Sequence, residues 1–400
     1  MTEVEETLRR TLGQAAEQAP RLPALLPQRL ERIHRRRRQR AGIALAAAAV
    51  VLVGAGITTV LRGGDTITAV PASGQDTKAP AAQVEKVWPE AVRKVSAKSP
   101  DGVPWRPQTF IDDRTLLMEA QGGESGSTNA VYAYDLDAGT PRKIADVPAP
   151  EGTVGFGNGF AVGGGQVAWW TGTKDSVAHL WTVPLDGGTP KIVADQRLDT
   201  ADDGSGIDKL AVVNDKIVFS LYTGGVFTVP LGGGTVEPVQ GGAGMHLLAW
   251  PWIGAPGSGG EPQGMPYSRI QNVETGETRT AVTNPGEELR YCGVTICLGR
   301  TAEGTTFFRH RDGSSQKNVP GSVHSAYQPV QDRFYVSVYG DAGKPAGGVG
   351  LYDLDTGKSG DLGIPGKGNS IRLPSMDSTG RMLSYTLGDD LYLIDLSKIR

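Results

Sequence analysis

Cys292-Gly293-Val294-Thr295-Ile296-Cys297 is the most specific chemical signal in the chain, because its only two cysteines flank a four-residue turn. In an oxidising compartment thiols so placed pair. Closing so short a loop contributes about 2 kcal/mol in the chain-entropy model. A Cys-x4-Cys redox or zinc site is the alternative, and no further thiol or histidine pair lies nearby to complete it. The histidines His34, His179, His246, His310 and His324 are scattered, one per segment. Asp135-Leu136-Asp137 and Asp353-Leu354-Asp355 suggest calcium ligands, yet each precedes a glycine at a strand end, where Asp is a routine turn former. The segment from Asp199 to Asp208 gathers carboxylates on one loop but lacks the ligand spacing of an EF-hand. No Gly-x-Ser-x-Gly elbow occurs. Gly299 to Gly304 has the spacing of a phosphate loop, but Thr305-Thr306 follow where the lysine should stand. The sequence therefore assigns no catalytic residue, metal or cofactor.

The compartment is set by residues 41–61, an uncharged apolar run entered directly from Arg35-Arg36-Arg37-Arg38-Gln39-Arg40. A helix of that length reaches about 30 Å, the hydrocarbon thickness of a bilayer. Seven arginines lie between Arg29 and Arg40, whereas Arg62 alone follows the run, so the positive-inside rule places the N-terminus in the cytosol. A cleaved signal peptide is the competing reading. Its basic region would be forty residues long, and Ala69-Val70-Pro71-Ala72 is a poor cleavage site. A buried soluble helix fails, because the run has no polar face. The expected location is the cell membrane, single-pass, with the C-terminal part extracytoplasmic.

Residues 1–40 form a basic cytosolic head. Thr2 and Glu5 make a capping box, and Val4, Leu8, Leu12 and Ala15 recur at helical spacing. So narrow a stripe on an isolated helix lies on lipid or docks on a cytosolic regulator. Beside a bilayer the arginines attract anionic headgroups at about 1 kcal/mol each. The head carries a net +5 against −3 for the whole chain, so the rest is acidic and gives no support to nucleic-acid binding.

Residues 62–90, rich in Ala, Pro, Gly and Thr, read as a flexible linker. From 91 to 400 a unit recurs at roughly 40-residue spacing, near the blade length of a propeller. Its landmark is a strand ending in a glycine turn: VYAYDLDAG from Val131, LWTVPLDGG from Leu180, VFTVPLGGG from Val226, IQNVETG from Ile270, FFRHRDG from Phe307 and LYDLDTG from Leu351. LYLIDL from Leu391 ends the series. With strands before and after each landmark, the prediction is all-β: a seven-bladed β-propeller preceded by one transmembrane helix and a short cytosolic helical segment. The last blade lacks a fourth strand, and residues 91–97 are expected to supply it and close the ring.

The last unit carries Pro374-Ser375-Met376-Asp377-Ser378-Thr379-Gly380-Arg381, an apolar strand, and then Asp390-Leu391-Tyr392-Leu393-Ile394-Asp395-Leu396. This resembles the repeat of TolB-type propellers, a Pro-x-x-Ser-x-Asp-Gly-Arg turn followed by an x-Leu-Tyr-x-x-Asp-Leu strand. It departs by two extra residues, Ser378 and Thr379. The layout is similar to membrane-anchored TolB-like, WD-repeat-like proteins of high-GC Gram-positive bacteria. The resemblance implies an extracytoplasmic interaction module and brings no catalytic residues.

The third-to-fourth turns are all tight, whereas loops at the opposite end are long, as between Gly254 and Tyr267. Long loops on a rigid scaffold are where binding residues gather. Trp250, Trp252 and Tyr267 are candidate aromatic anchors there for an extracytoplasmic protein or ligand; packing between blades is the competing role. The expected function is non-catalytic binding or sensing. The alternatives are an extracytoplasmic propeller lyase or hydrolase, and a regulator whose head holds a transcription factor.

Overall fold

The computed structural model describes residues 66–68, 78–121, 128–198, 206–255, 267–319, 329–341, 344–367 and 370–400. The head and the apolar run over 41–61 lie outside the described residues. Among the described residues no helix is long and apolar enough to cross a membrane.

Among the described residues seven antiparallel sheets form the blades, six of four strands and one of three, beside one further two-stranded sheet. Blade 1 runs Trp105–Phe110, Thr115–Gln121, Thr128–Asp135 and Thr140–Asp146; blade 2 runs Thr153–Gly163, Gln166–Thr173, Val177–Pro184 and Lys191–Arg197. Blade 3 begins at Ile207–Val213, blade 4 at His246–Ala249 and blade 5 at Glu288–Cys292. Blade 6 shows Phe334–Tyr339, Gly348–Asp353 and Ser359–Asp361, with Val330 bridging back to Phe334 from the segment ahead. Blade 7 comprises Ser375–Met376, Met382–Leu387 and Asp390–Asp395. Its fourth strand is Val92–Ser96, paired with Asp390–Asp395 from Val92 opposite Ile394 to Ser96 opposite Asp390. The chain is thus a seven-bladed β-propeller, closed by a strand from ahead of blade 1.

Apolar residues fill both faces of the central strands, because each blade is sandwiched between two others. Trp169 and Trp170 show the period of two at work: the first packs with Leu117, Phe160 and Trp181 between blades 1 and 2, the second with Leu180, Leu210 and Phe219 between blades 2 and 3. Trp105, Leu116, Met382 and Leu391 join blade 7 to blade 1. Between blades 4 and 5 the apolar cluster is small, with Leu289, Cys292, Cys297 and Phe307 buried and Ala281 against them. Buried Arg311 adds to it by donating to the carbonyls of Tyr267, Ser268 and Gly293 at 2.7–3.0 Å. Cys292 and Cys297 sit directly opposite each other on the first two strands of blade 5 and form a disulfide, with Cα atoms 4.0 Å apart.

The linker expected over 62–90 ends earlier than its composition indicates. Val84–Val87 forms one helical turn, and Val84 and Trp88 are buried against blades 6 and 7. Gly360 makes room for them: a Cβ there would come within 2.8 Å of Val84 Cα. Ala82 accepts a 2.8 Å hydrogen bond from the amide of Asp361, Gln83 donates to the Asp361 carboxylate at 2.9 Å, and Glu85 meets Lys94 at 3.0 Å. Farther upstream, Thr66–Thr68 pairs with Ser370–Arg372. Composition missed this because two apolar side chains suffice when a covered groove awaits them.

The Arg of the TolB-like turn is a staple. Arg381 grips Asp395 through two hydrogen bonds of 3.0 and 2.8 Å and reaches Asp113 of blade 1 at 2.6 Å. Blade 6 repeats the device with Arg333 and Asp353 at 2.8 and 2.7 Å. Burial pushes both carboxyls upward, but their hydrogen bonds, chiefly from arginine, outweigh it and leave both below the ordinary range.

A chain lacking residues 1–77 is expected to melt within a few degrees of the full chain, while one lacking 1–98 loses both strand and latch and does not melt cooperatively; calorimetry distinguishes them. Depressed carboxyl values give stability that is present above the unfolded pKa of about 4 and lost as pH falls through the folded value. Melting temperature should therefore fall below about pH 4, and Asp395→Asn and Asp353→Asn should lower it at neutral pH while flattening that acid limb.

Candidate functional site

The first strands of the blades, with Val330 ahead of blade 6, gather around one axis, and the crowding leaves a mark. In blades 1, 3, 4 and 5 the register between first and second strands slips once, between Pro107 and Thr109, Ile207 and Lys209, Leu247 and Ala249, and Leu289 and Tyr291. Blade 2 slips three times between Thr153 and Ala161. A bulge takes up an extra residue, bends the strand and re-aims its side chains. Neighbours that a regular strand would send to opposite faces, such as Asp208 and Lys209, consequently line the same space.

That space is an axial cavity of about 400 Å³ to which every blade contributes, blade 6 through Pro329–Asp332. Its size suits a small molecule. Leu210, Leu247, Leu248, Met376 and Val330 give the wall its apolar part, beside polar residues such as Arg106, Asn158 and Gln331. Burial pushes the phenols of Tyr267 and Tyr291 upward, so both stay protonated donors at neutral pH.

Most carboxylate oxygens around the cavity are occupied by the protein, the buried Asp332 Oδ1 being without a hydrogen-bond partner. Asp208 accepts from Ser220 Oγ and lies 2.7 Å from His246 Nδ1, while Ser220 Oγ accepts from the amide of Leu247 at 3.0 Å. This network stitches blade 3 to blade 4. Because Ser220 donates to Asp208 and not to His246, it is not set as a nucleophile beside a base. Asp377 accepts from Thr109 at 2.8 Å, Thr379 at 2.5 Å and the Met382 amide at 2.9 Å, and burial raises its carboxyl pKa. Glu119 holds Arg106 at 3.2 Å and accepts from Thr128 at 2.7 Å. Asp332 Oδ2 takes both the amide and the hydroxyl of Thr295 at 2.7 Å. Asp332 rests on the turn that the disulfide closes; a Cβ on Gly293 would fall 1.9 Å from its other oxygen.

The residues singled out from sequence fall in different places. Tyr267 lines the cavity, with its ring centroid 6.3 Å from that of His246. Trp250 donates to Glu274 at 2.8 Å, and Trp252 lies under Arg279 at 4.5 Å. Trp252 pairs with Asn272 at one end of its strand, whereas Ala255 pairs with Arg269 near Tyr267 at the other. The three aromatic residues therefore do not share one surface. Most of the Gly254–Tyr267 loop, the acidic stretch 199–205 and His324 lie outside the described residues. His179 meets Asp195 at 2.6 Å, and His310 meets Ser314 at 3.3 Å, both away from the cavity. Asp135 and Asp353 accept from the amides of Asp137 and Asp355, as turn formers do. Among the described residues no group of three His, Cys, Asp or Glu is placed to hold a metal.

No family model and no curated protein matches this chain. Among solved structures it is similar to the WD40 propeller domain of Doa1, at 11% identity and TM-score 0.38, covering 82% of this chain and 97% of that one. It is also similar to a putative TolB from Agrobacterium tumefaciens, at 14% and 0.31 over 76% and 97%. Oligogalacturonate lyase from Vibrio parahaemolyticus gives 12% and 0.42 over 83% and 98%. At such identities these likenesses concern the fold alone.

Replacing Asp208 by alanine leaves Ser220 and His246 without their shared acceptor. The expected loss is about 3 kcal/mol by urea unfolding, with Asp208→Asn falling between the two.

Proposed function

We propose that this chain is a single-pass membrane protein presenting its propeller outside the cytoplasm as a binding module, with the axial cavity as the site for a small, largely apolar ligand. The observation that carries the binding part is a cavity of about 400 Å³ walled by all seven blades. Its acidic groups mostly serve as struts between blades, so its lining favours a neutral molecule over an ion. The address rests on residues 41–61 and the arginines before them. It agrees with a disulfide at Cys292 and Cys297, the kind of bond that persists in oxidising surroundings. A cytosolic partner for residues 1–40 belongs to the same proposal: such a head would let the molecule report occupancy inward.

Catalysis is the second reading, favoured by the contact between Asp208 and His246 near the axis. A hydrolase of the serine type would need Ser220 turned toward that imidazole.

Protease added to cells stripped of their wall should degrade the chain beyond residue 77 and leave an N-terminal fragment. Survival of the C-terminal part would reject the sidedness. For the cavity, millimolar benzyl alcohol should raise the melting temperature of the detergent-purified full chain. Ala249→Trp, which fills the cavity, should abolish that shift; an unchanged shift in the variant would move the site elsewhere.

A further inference from the structure

Lys209 is the cavity group to which the binding role above gives no task. It follows the bulged Asp208, and its Nζ donates to the carbonyl of Leu248, the bulged residue of the neighbouring blade. Bulged residues stand outside the regular ladder, so that carbonyl is available to a side chain. Leu210, Leu247 and Met376 line the cavity with it. The nearby carboxylates are directed elsewhere, Asp208 to Ser220 and His246, and Asp377 to Thr109, Thr379 and the Met382 amide. Burial lowers the amine's pKa, against an opposing pull from Asp208 and Asp377. A surface lysine is protonated and inert at neutral pH, whereas a desolvated one keeps a lone pair for attack. The carbonyl of Leu248 takes one hydrogen of Nζ, and attack needs the neutral amine, the form that burial favours.

We propose that Lys209 is a covalent capture site, taking small neutral aldehydes or ketones that enter the axial cavity as a reversible Schiff base. Nζ attacks the carbonyl carbon, the C–N bond forms, and the C=O π pair moves to oxygen. One nitrogen proton passes to that oxygen, giving a carbinolamine. Its hydroxyl then leaves with the second nitrogen proton as water, and the nitrogen lone pair completes C=N. Amine and carbonyl enter, imine and water result, and nothing is oxidised or reduced. Tyr267 and Tyr291, both protonated, line the same cavity and can donate to the oxygen. This names a ligand class for the site proposed above and rests on that proposal.

The test treats the detergent-purified full chain with benzaldehyde and cyanoborohydride at neutral pH, followed by digestion and mass spectrometry. Lys209 should be benzylated at least tenfold faster than exposed lysines such as Lys143 and Lys358. Lys209→Arg and Lys209→Met should lose that adduct with the far-ultraviolet circular dichroism unchanged. Labelling of Lys209 at or below the exposed rate overturns the proposal. Benzyl alcohol separates the two ideas, having the same ring without the carbonyl. If it raises the melting temperature while Lys209 stays unlabelled, the cavity binds but the amine does not react. If neither occurs, both readings fall.

Discussion

The pairing of Val92–Ser96 with Asp390–Asp395 is the interaction on which the rest depends. Each blade buries its two faces against its neighbours, so the ring has as many interfaces as blades, and none is complete unless all are. The cluster of Trp105, Leu116, Met382 and Leu391 exists only because blade 7 comes round to meet blade 1. One hydrogen-bonded strand, drawn from ahead of the first blade, holds that meeting in place and completes blade 7 as a four-stranded sheet. Arg381 reinforces the same seam, bridging Asp395 in blade 7 and Asp113 in blade 1.

Closure also creates the cavity. First strands that converge do not all keep a regular register, and the slips in blades 1 to 5 re-aim residues such as Asp208 and Lys209 into one space. This explains what sequence could and could not reveal. The blades were legible because LYDLDTG and its relatives combine an apolar strand with a turn that needs glycine, a local pattern that repeats. The missing fourth strand of the last blade was legible by counting. The cavity was not, because a bulge breaks the period of two, and Asp208-Lys209 then reads as a polar strand end. Its partners Ser220 and His246 lie 12 and 38 residues away, with no spacing rule to connect them. Trp250 and Trp252 read in the sequence as loop anchors, and their contacts with Glu274 and Arg279 come from positions with no spacing rule to connect them.

The TolB-like turn shows how a departure from a repeat can be informative. Its Arg381 does what Arg333 does one blade earlier, so that part of the motif serves stability. The two extra residues do something else. Thr379 caps Asp377, and Ser378 reaches across to the carbonyl of Phe160 in blade 2 at 3.5 Å. The insertion therefore projects into the axial region and helps shape the cavity.

The helical turn at Val84–Val87 has a mechanical consequence. A chain tugged from its N-terminal side would load first the pairing of Thr66–Thr68 with Ser370–Arg372, then the hydrogen bonds of Ala82 and Gln83 to Asp361, and the buried Val84 and Trp88 behind them. These act as a strain relief: force is spent on the rim of blade 6 before any reaches the strand that fastens the ring. Tension on the N-terminal side is in this way met before it can unzip the ring.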